Sequence, residues 1–245
     1  MKYFQIEEGS SLKITLNRPE TGNAFHHEMI LEMTDLFKKI NADPKYKMIF
    51  LAGSGKHFCT GADLNWMSSA ETISPEENVH QMEDLMKMYK SIATCPLPLI
   101  TYVHGAAYGG GIGLCSLSDY VIADRDSLFC LSEMKYGLLP GALTPFLLTK
   151  IGKTQFMKLA LEANPFDSDK ALSLGLITEI GDKKHAQDCL KKFEAWPAIS
   201  LKNLKKSVQL FSDDITEGFE KLKYLSAECR SDKEVLELTK TFRKK

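Results

Sequence analysis

The sequence predicts an α/β fold in which strands and helices alternate through one parallel core, followed by an all-helical C-terminal region. Three observations carry this. Short apolar runs of strand type alternate with longer stretches at helical spacing; no Gly/Ser-rich linker interrupts them; and after Ile180 only helical spacing remains. The short connections favour a coiled, repeating architecture. A chain of 245 residues fits one large domain or a domain with an appendage, at roughly 150 residues per domain. The division expected is a core over 1–190 and a helical region over 191–245.

The elements follow in order. Tyr3 to Ile6 and Leu12 to Leu16 flank a Gly9-Ser10 turn and read as a hairpin, and a loop with Pro19 and Gly22 follows. From His27 to Asn41, apolar Ile30, Met33, Leu36, Phe37 and Ile40 recur at helical spacing, and Met48 to Ala52 reads as a buried strand. A second helix starts at Pro75, a favoured first-turn residue, and runs to about Ala93. Its inner face is expected to carry Val79, Met82, Leu85, Met86, Tyr89 and Ile92, and Pro96 and Pro98 end it. Strands are expected at Leu99 to Val103, Tyr120 to Ala123 and Leu128 to Leu131, with a glycine cluster opening a short helix after the first. Beyond Ile180, Ala186, Cys189, Leu190 and Phe193, and later Phe219, Leu222 and Leu225, keep helical spacing. A helical tail of this kind packs on the core or on a neighbouring subunit.

Hydrophobic residues at 44% and charged residues at 26% are ordinary for a globular protein. A net charge of -1 argues against a nucleic-acid partner, and the basic run Lys202 to Lys206 reads as a solvated helix face. There is no signal-peptide pattern and no run of ~20 apolar residues, so no membrane partner and a cytoplasmic location are expected. The six cysteines form no CxxC pair and lie mostly in apolar runs. That suits reduced, buried thiols better than disulfides or a zinc site.

Two small-residue clusters carry the chemistry. Gly55-Lys56-His57-Phe58-Cys59-Thr60-Gly61-Ala62-Asp63-Leu64 follows a strand, and His104-Gly105-Ala106-Ala107-Tyr108-Gly109-Gly110-Gly111 sits where a strand ends and a helix begins. Small residues let a ligand approach main-chain amides, and amides at a helix start point outward unsatisfied, a setting for an oxyanion. The plain alternative for each cluster is a tight loop or close helix packing. Neither is a nucleotide motif: G-x-G-x-x-G spacing fails at Leu114, and Gly152-Lys153-Thr154 has Leu147 where a P-loop needs its first glycine.

Thr60-Gly61-Ala62-Asp63-Leu64, then Gly105 to Gly111 with Asp119 beyond, then Ser132-Glu133 leading to Gly137-Leu138-Leu139-Pro140-Gly141 resemble, in order and spacing, the signatures of the crotonase (enoyl-CoA hydratase/isomerase) superfamily. Leu16-Asn17-Arg18-Pro19 with Asn23-Ala24-Phe25 resembles its opening loop, so the likeness spans about residues 3 to 240. The resemblance implies a crotonase-like α/β spiral of repeated ββα units with a C-terminal helical region that packs subunits into a homotrimer or hexamer. It implies a coenzyme A thioester as substrate, no further cofactor and no metal. The amides of Ala62 and Gly110 would form an oxyanion hole for the thioester oxygen and Glu133 would move protons. Gly61, Asp63, Leu64, Trp66, Gly109, Gly113 and Pro140 would line the substrate.

One departure matters. Hydratases of this family carry a second glutamate two residues after the triple glycine, and this chain has Gly113 there. The wider wording, Gly61 to Met67, Ser74 to Asn78 and Leu138-Leu139-Pro140 with Thr144-Pro145-Phe146, resembles the methylglutaconyl-CoA hydratase branch, where glycine at that position is common. A small neutral residue is then expected to leave room for a substrate carboxylate. The activity implied is reversible hydration of a branched or carboxylated 2-enoyl-CoA. The alternatives are a one-base enoyl-CoA isomerase, a dehydratase acting on a carrier-bound hydroxymethylglutaryl group, and a non-catalytic acyl-CoA-binding protein.

The remaining candidates read as structural. Trp66 and Met67 suit a core as well as an acyl pocket. His57 and His104 flank the two loops, Asp119 is expected to position backbone, and Asp63 to hold its loop by side-chain to backbone bonds. Cys59 lacks a partner base.

Overall fold

The computed structural model describes residues 1–210 and 215–242, with side chains from 211 to 222 and from 238 onward outside the description. Strand β1 (Phe4–Glu8) pairs antiparallel with β2 (Leu12–Leu16), Phe4 opposite Leu16, across the expected turn. Helix α1 (His27–Ala42) buries the predicted Ile30, Met33, Leu36, Phe37 and Ile40, and β3 (Ile49–Gly53) follows. Then come the short helix α2 (Leu64–Ser68) and α3 (Pro75–Ala93). The Ser74 hydroxyl accepts the Glu77 amide at 3.1 Å, and Pro75 and two acidic residues fill the first turn of α3, a strong helix start. Strands β4 (Leu99–Val103) and β5 (Ala106–Tyr108) lead into helix α4 (Gly110–Leu117), and β6 (Tyr120–Ala123) and β7 (Leu128–Cys130) follow. Helix α5 (Thr144–Glu162) is kinked at Gly152. The chain then runs through β8 (Phe166–Asp167), α6 (Ser168–Ser173), β9 (Glu179–Ile180), α7 (Lys183–Glu194), α8 (Ala198–Leu210), α9 (Ile215–Ser231) and α10 (Lys233–Phe242).

The long sheet has the order β1-β2-β3-β4-β6-β9, parallel from β2 onward, and a short sheet has the order β5-β7-β8. Each turn of the chain contributes one strand to the long sheet and a second extended piece beside it. Those second pieces also stack in parallel, Phe25 on Ala62, Cys59 on Ala107, and β5 on β7. The result is the expected spiral of repeating units. In its first two turns the second strand shrinks to isolated bridges, which is why the sequence showed loops there.

Through β3, β4 and β6 both faces of the long sheet are buried, so these strands read as continuous apolar runs, whereas β1 and β2 alternate buried and more exposed residues. Ile49 and Leu51 face the main core with Leu99 and Val103, whereas Met48, Phe50, Ile100, Tyr102 and Ile122 face Ala186, Leu190 and Leu201 of α7 and α8. A boundary at 190/191 therefore falls inside α7, whose apolar face already covers the sheet. Leu225 of α9 is buried, while Phe219 and Leu222, also expected on an apolar face, lie outside the described side chains.

Two expectations are corrected. The face of α3 is not uniformly inward: Tyr89 and Ile92 are buried, but Val79 and Met86 are exposed, Met86 because it lines a cavity instead of packing on the core. Lys205 is not solvated. It is buried and its Nζ donates to Asp119 Oδ2 at 2.7 Å, an oxygen that also accepts the Leu99 amide at 2.7 Å, tying α8 to the start of β4. Asp119 thus positions backbone as expected. All six cysteines are free, four of them buried. Among the described residues no helix is long and apolar enough to cross a membrane.

Candidate active site

A cavity of about 810 Å³ opens where the two small-residue clusters meet. The bridge between Phe25 and Ala62 is made by the neighbours of Ala62: the Phe25 amide donates to Gly61 O and the Asp63 amide to Phe25 O, each at 2.7 Å. The amide of Ala62 therefore points to the other side, toward the cavity. In the next turn the Gly109 amide donates to Cys130 O at 2.9 Å, and the chain then reverses into α4, leaving Gly110 at its first position. Among the described residues neither the Ala62 nor the Gly110 amide donates a hydrogen bond.

Two glycines allow the loops to touch. Gly61 has φ +98° and Gly109 φ +45°, and a side chain begun at either would lie 3.6 Å from the other's Cα. Left-handed backbone at both positions selects glycine, and the close approach brings the two free amides to one wall of the cavity.

Glu133 follows β7 on a short 3-10 turn, Glu133–Tyr136. Its carboxyl lies against the same wall, Oε1 only 3.0 Å from where a Cβ on Gly109 would stand. Oε2 is buried and has no hydrogen-bond partner. Burial pushes the carboxyl above the usual glutamate range. A buried polar atom left without a partner is uncommon and marks a place where a ligand or a reaction can complete the set.

Asp63 lines the same cavity but is fully engaged. Oδ1 accepts the Asn65 amide at 2.8 Å, capping α2, and Oδ2 meets Arg18 Nη1 at 2.6 Å. Burial opposes its ionisation, but the Arg18 guanidinium and the Asn65 amide together outweigh it and hold the carboxyl below the usual range. Arg18 also donates to Ala24 O at 2.9 Å, so it ties the opening loop to the Ala62 loop.

The space beside Gly113 is closed. A Cβ there would meet Leu143 Cδ2 at 2.5 Å and the Tyr89 hydroxyl at 2.8 Å. Tyr89 is itself buried and its hydroxyl donates to Gly110 O at 3.1 Å. Gly113 does not line the cavity, which corrects the expectation that it leaves room for substrate; tyrosine and leucine side chains already occupy that room. Gly61 likewise supports the wall from behind. Ala62, Asp63, Leu64, Trp66, Gly109, Gly110, Glu133 and Pro140 all line the cavity.

The enoyl-CoA hydratase/isomerase family profile matches residues 7–240, nearly the whole chain. The protein belongs to that family. Among relatives, 1,2-epoxyphenylacetyl-CoA isomerase of Escherichia coli is 30% identical over 209 residues, covering 83% of this chain and 79% of that protein. The enoyl-CoA hydratase ACTT6 of Alternaria alternata is 29% identical over 190 residues, 78% of this chain and 62% of that longer protein. Of solved structures, an enoyl-CoA hydratase from Shewanella pealeana superposes with a TM-score of 0.88 at 29% identity over 99% of this chain and 93% of that one. AtuE of Pseudomonas aeruginosa gives 0.90 at 29% identity, covering 98% and 96%. The protein is accordingly an enzyme of the enoyl-CoA hydratase/isomerase family, and its fold is the crotonase fold.

Within that family frame the other sequence candidates sort by contact. Trp66 lines the cavity, with its indole Nε1 donating to Gln81 Oε1 at 2.7 Å, and Met67 lines it too. His57 Nδ1 accepts the Ala106 amide at 3.2 Å and His104 Nε2 pairs with Gly55 O at 3.0 Å, so both staple loop to loop. Cys59 is buried and its thiol is pushed up to about 12 by burial, unsuited to a nucleophile. Sequence reasoning gave no role to Arg18 and placed Tyr89 simply on a core face. Arg18 stood in the opening loop, where its ion-pair partner 45 positions away leaves no local signal.

Proposed function

We propose that this enzyme adds water reversibly to a 2-enoyl-CoA, with Glu133 as the group that moves protons and the amides of Ala62 and Gly110 as the oxyanion hole. The observation that carries the reading is the unpartnered Oε2 of Glu133, its carboxyl set against the wall that holds two free amides. The Glu133 carboxylate takes a proton from water as the water oxygen bonds to C3. The electron pair of the double bond moves through C2 to the thioester oxygen, where two amide donors stabilise the charge at ~3–4 kcal/mol each. The resulting carboxylic acid returns its proton to C2, the carbonyl re-forms, and Glu133 is again a carboxylate. Dehydration is the reverse. No cofactor enters; the thioester is the substrate.

The acyl chain we assign is branched or carboxylated, methylglutaconyl-CoA being the example the sequence wording suggests. Trp66, Met82, Leu85 and Leu143 supply an apolar lining for a branched chain. Lys135 is the basic residue among the described ones that lines the cavity, and it can face an acyl carboxylate. The argument from Gly113 no longer supports a carboxylate, since that space is filled.

A second reading is favoured by the same closed space. With no second carboxylate at position 113, a one-base isomerisation fits: Glu133 removes a proton from C2 of a 3-enoyl-CoA and returns it to C4. A panel of enoyl thioesters, including methylglutaconyl-CoA and crotonyl-CoA, assayed in ¹⁸O-labelled water separates the two. Label in the product supports hydration. Double-bond movement without label replaces it with isomerisation, turnover of carrier-bound thioesters alone points to the dehydratase, and binding without turnover to a non-catalytic protein.

We also assign the helical C-terminal region to subunit contact in a trimer or hexamer, because Tyr224 of α9, like Leu204 and Val208 of α8 beside it, stands exposed. Deleting residues 213–245 should give monomers or aggregates by sedimentation; an unchanged assembly refutes the assignment.

A further inference from the structure

On the outer side of the long sheet, away from the cavity, Glu179 of β9 meets His185 and Cys189 of α7. The two helix residues are four apart and so share one face. Asp182 fixes the start of the helix, its carboxylate accepting the His185 amide at 2.8 Å. Gly181 makes the fold-back possible: a Cβ there would stand 2.3 Å from the His185 ring, so any side chain would push the imidazole away from Glu179. The Tyr120 hydroxyl donates to the other oxygen of Glu179, holding that carboxylate in place from behind.

The three donor atoms lie at 2.6 Å (His185 Nε2 to Glu179 Oε2), 3.6 Å (Cys189 Sγ to His185 Nε2) and 3.8 Å (Cys189 Sγ to Glu179 Oε2). Around a tetrahedral zinc with bonds of roughly 2.0–2.2 Å to nitrogen and oxygen and ~2.3 Å to sulfur, the edges are about 3.6 Å between sulfur and either partner and about 3.4 Å between nitrogen and oxygen. Both sulfur edges already match. Only the nitrogen–oxygen edge must open, by under an ångström, as its hydrogen bond gives way to the metal. All three side chains are partly accessible, so an ion can reach them.

From this geometry we infer that Glu179, His185 and Cys189 form a zinc-class metal site, with water as the fourth ligand and Tyr120 orienting Glu179. No spacing in the sequence points to it, because the ligands include a single cysteine and come from a strand end and a helix rather than from paired CxxC spacings. None of the three lines the catalytic cavity. The metal acts as a clip between the two-residue strand β9, the edge of the long sheet, and the helix that covers that sheet.

The test uses the full-length protein, stripped of metal by chelation and kept reduced. Titration with Co²⁺ should give a thiolate-to-cobalt charge-transfer band that saturates at one equivalent and is bleached by Zn²⁺. Cys189→Ser should remove that band, and Tyr120→Phe should weaken affinity by ~10-fold, the usual effect of losing a hydrogen bond to a ligating carboxylate. Zn²⁺ should raise the thermal midpoint of the wild type and not that of His185→Ala, with turnover unchanged in both. Cobalt binding without a thiolate band, or a band that survives in Cys189→Ser, overturns the site. All three substituted side chains are partly exposed, and circular dichroism of each variant without metal verifies that it is folded.

Discussion

Two carboxylates line one cavity and differ in how their oxygens are satisfied. Asp63 has every oxygen committed, one to the Asn65 amide and one to Arg18, and its proton is held off. Glu133 has an enclosed oxygen with no partner and holds its proton more tightly than an ordinary glutamate. A satisfied buried carboxylate builds a loop; an unsatisfied one is tolerated at a cost in stability, and the compensation is chemistry. The comparison predicts that changes at the two sites fall on different observables.

The largest effect should come from Glu133→Gln, which keeps shape and removes the base. Turnover should fall by ~100-fold or more, with binding of the thioester little changed. Stability should move the other way. Because burial raises the folded-state pKa of Glu133, the folded protein binds that proton more tightly than the unfolded chain. The carboxyl therefore favours folding at acid pH and opposes it progressively as pH rises through the ordinary glutamate range. Glu133→Gln should have a thermal midpoint equal to or above wild type at neutral pH, and lose that advantage in acid. A midpoint several degrees lower at neutral pH would erase the contrast between the two carboxylates.

Next in size is Arg18→Met, which strands Asp63. Breaking a largely buried ion pair costs on the order of 3 kcal/mol, read as a lower denaturation midpoint, and the loss should grow as pH rises and Asp63 ionises. A variant as stable as wild type would mean that Asp63 is satisfied by other means. Smallest is Gly113→Ala, where the added methyl meets Leu143 and Tyr89. Overpacking of this kind costs ~1–3 kcal/mol, and Tyr89→Phe should relieve part of it. A neutral Gly113→Ala would show that the space behind the wall is not full.

The sequence conveyed the order of elements well because the central strands β3, β4 and β6 are buried on both faces and α1 carries a full apolar stripe, signals that lie within single segments. The two small-residue loops were legible for the same reason, since glycine at 61 and 109 reflects a local backbone demand. What stayed hidden depends on partners far along the chain. The Arg18 to Asp63 pair, the Lys205 to Asp119 pair, and the Tyr89 and Leu143 side chains behind Gly113 each join residues that no local pattern connects. The inner face of α3 was misread because Val79 and Met86 keep helical spacing although both are exposed, Met86 lining the cavity and Val79 lying outside its lining.

In the proposed reaction Glu133 exchanges a proton with C2 of a thioester whose oxygen is held by the amide wall, a step common to hydration and isomerisation. The direct measurement is deuterium incorporation at C2 of a saturated acyl-CoA, such as butyryl-CoA, incubated with the enzyme in D₂O and followed by NMR. Wild type should catalyse the exchange, with a rate that rises with pH through the elevated Glu133 pKa, and Glu133→Gln should not exceed the rate in buffer. Exchange at an undiminished rate in folded Glu133→Gln would contradict the account.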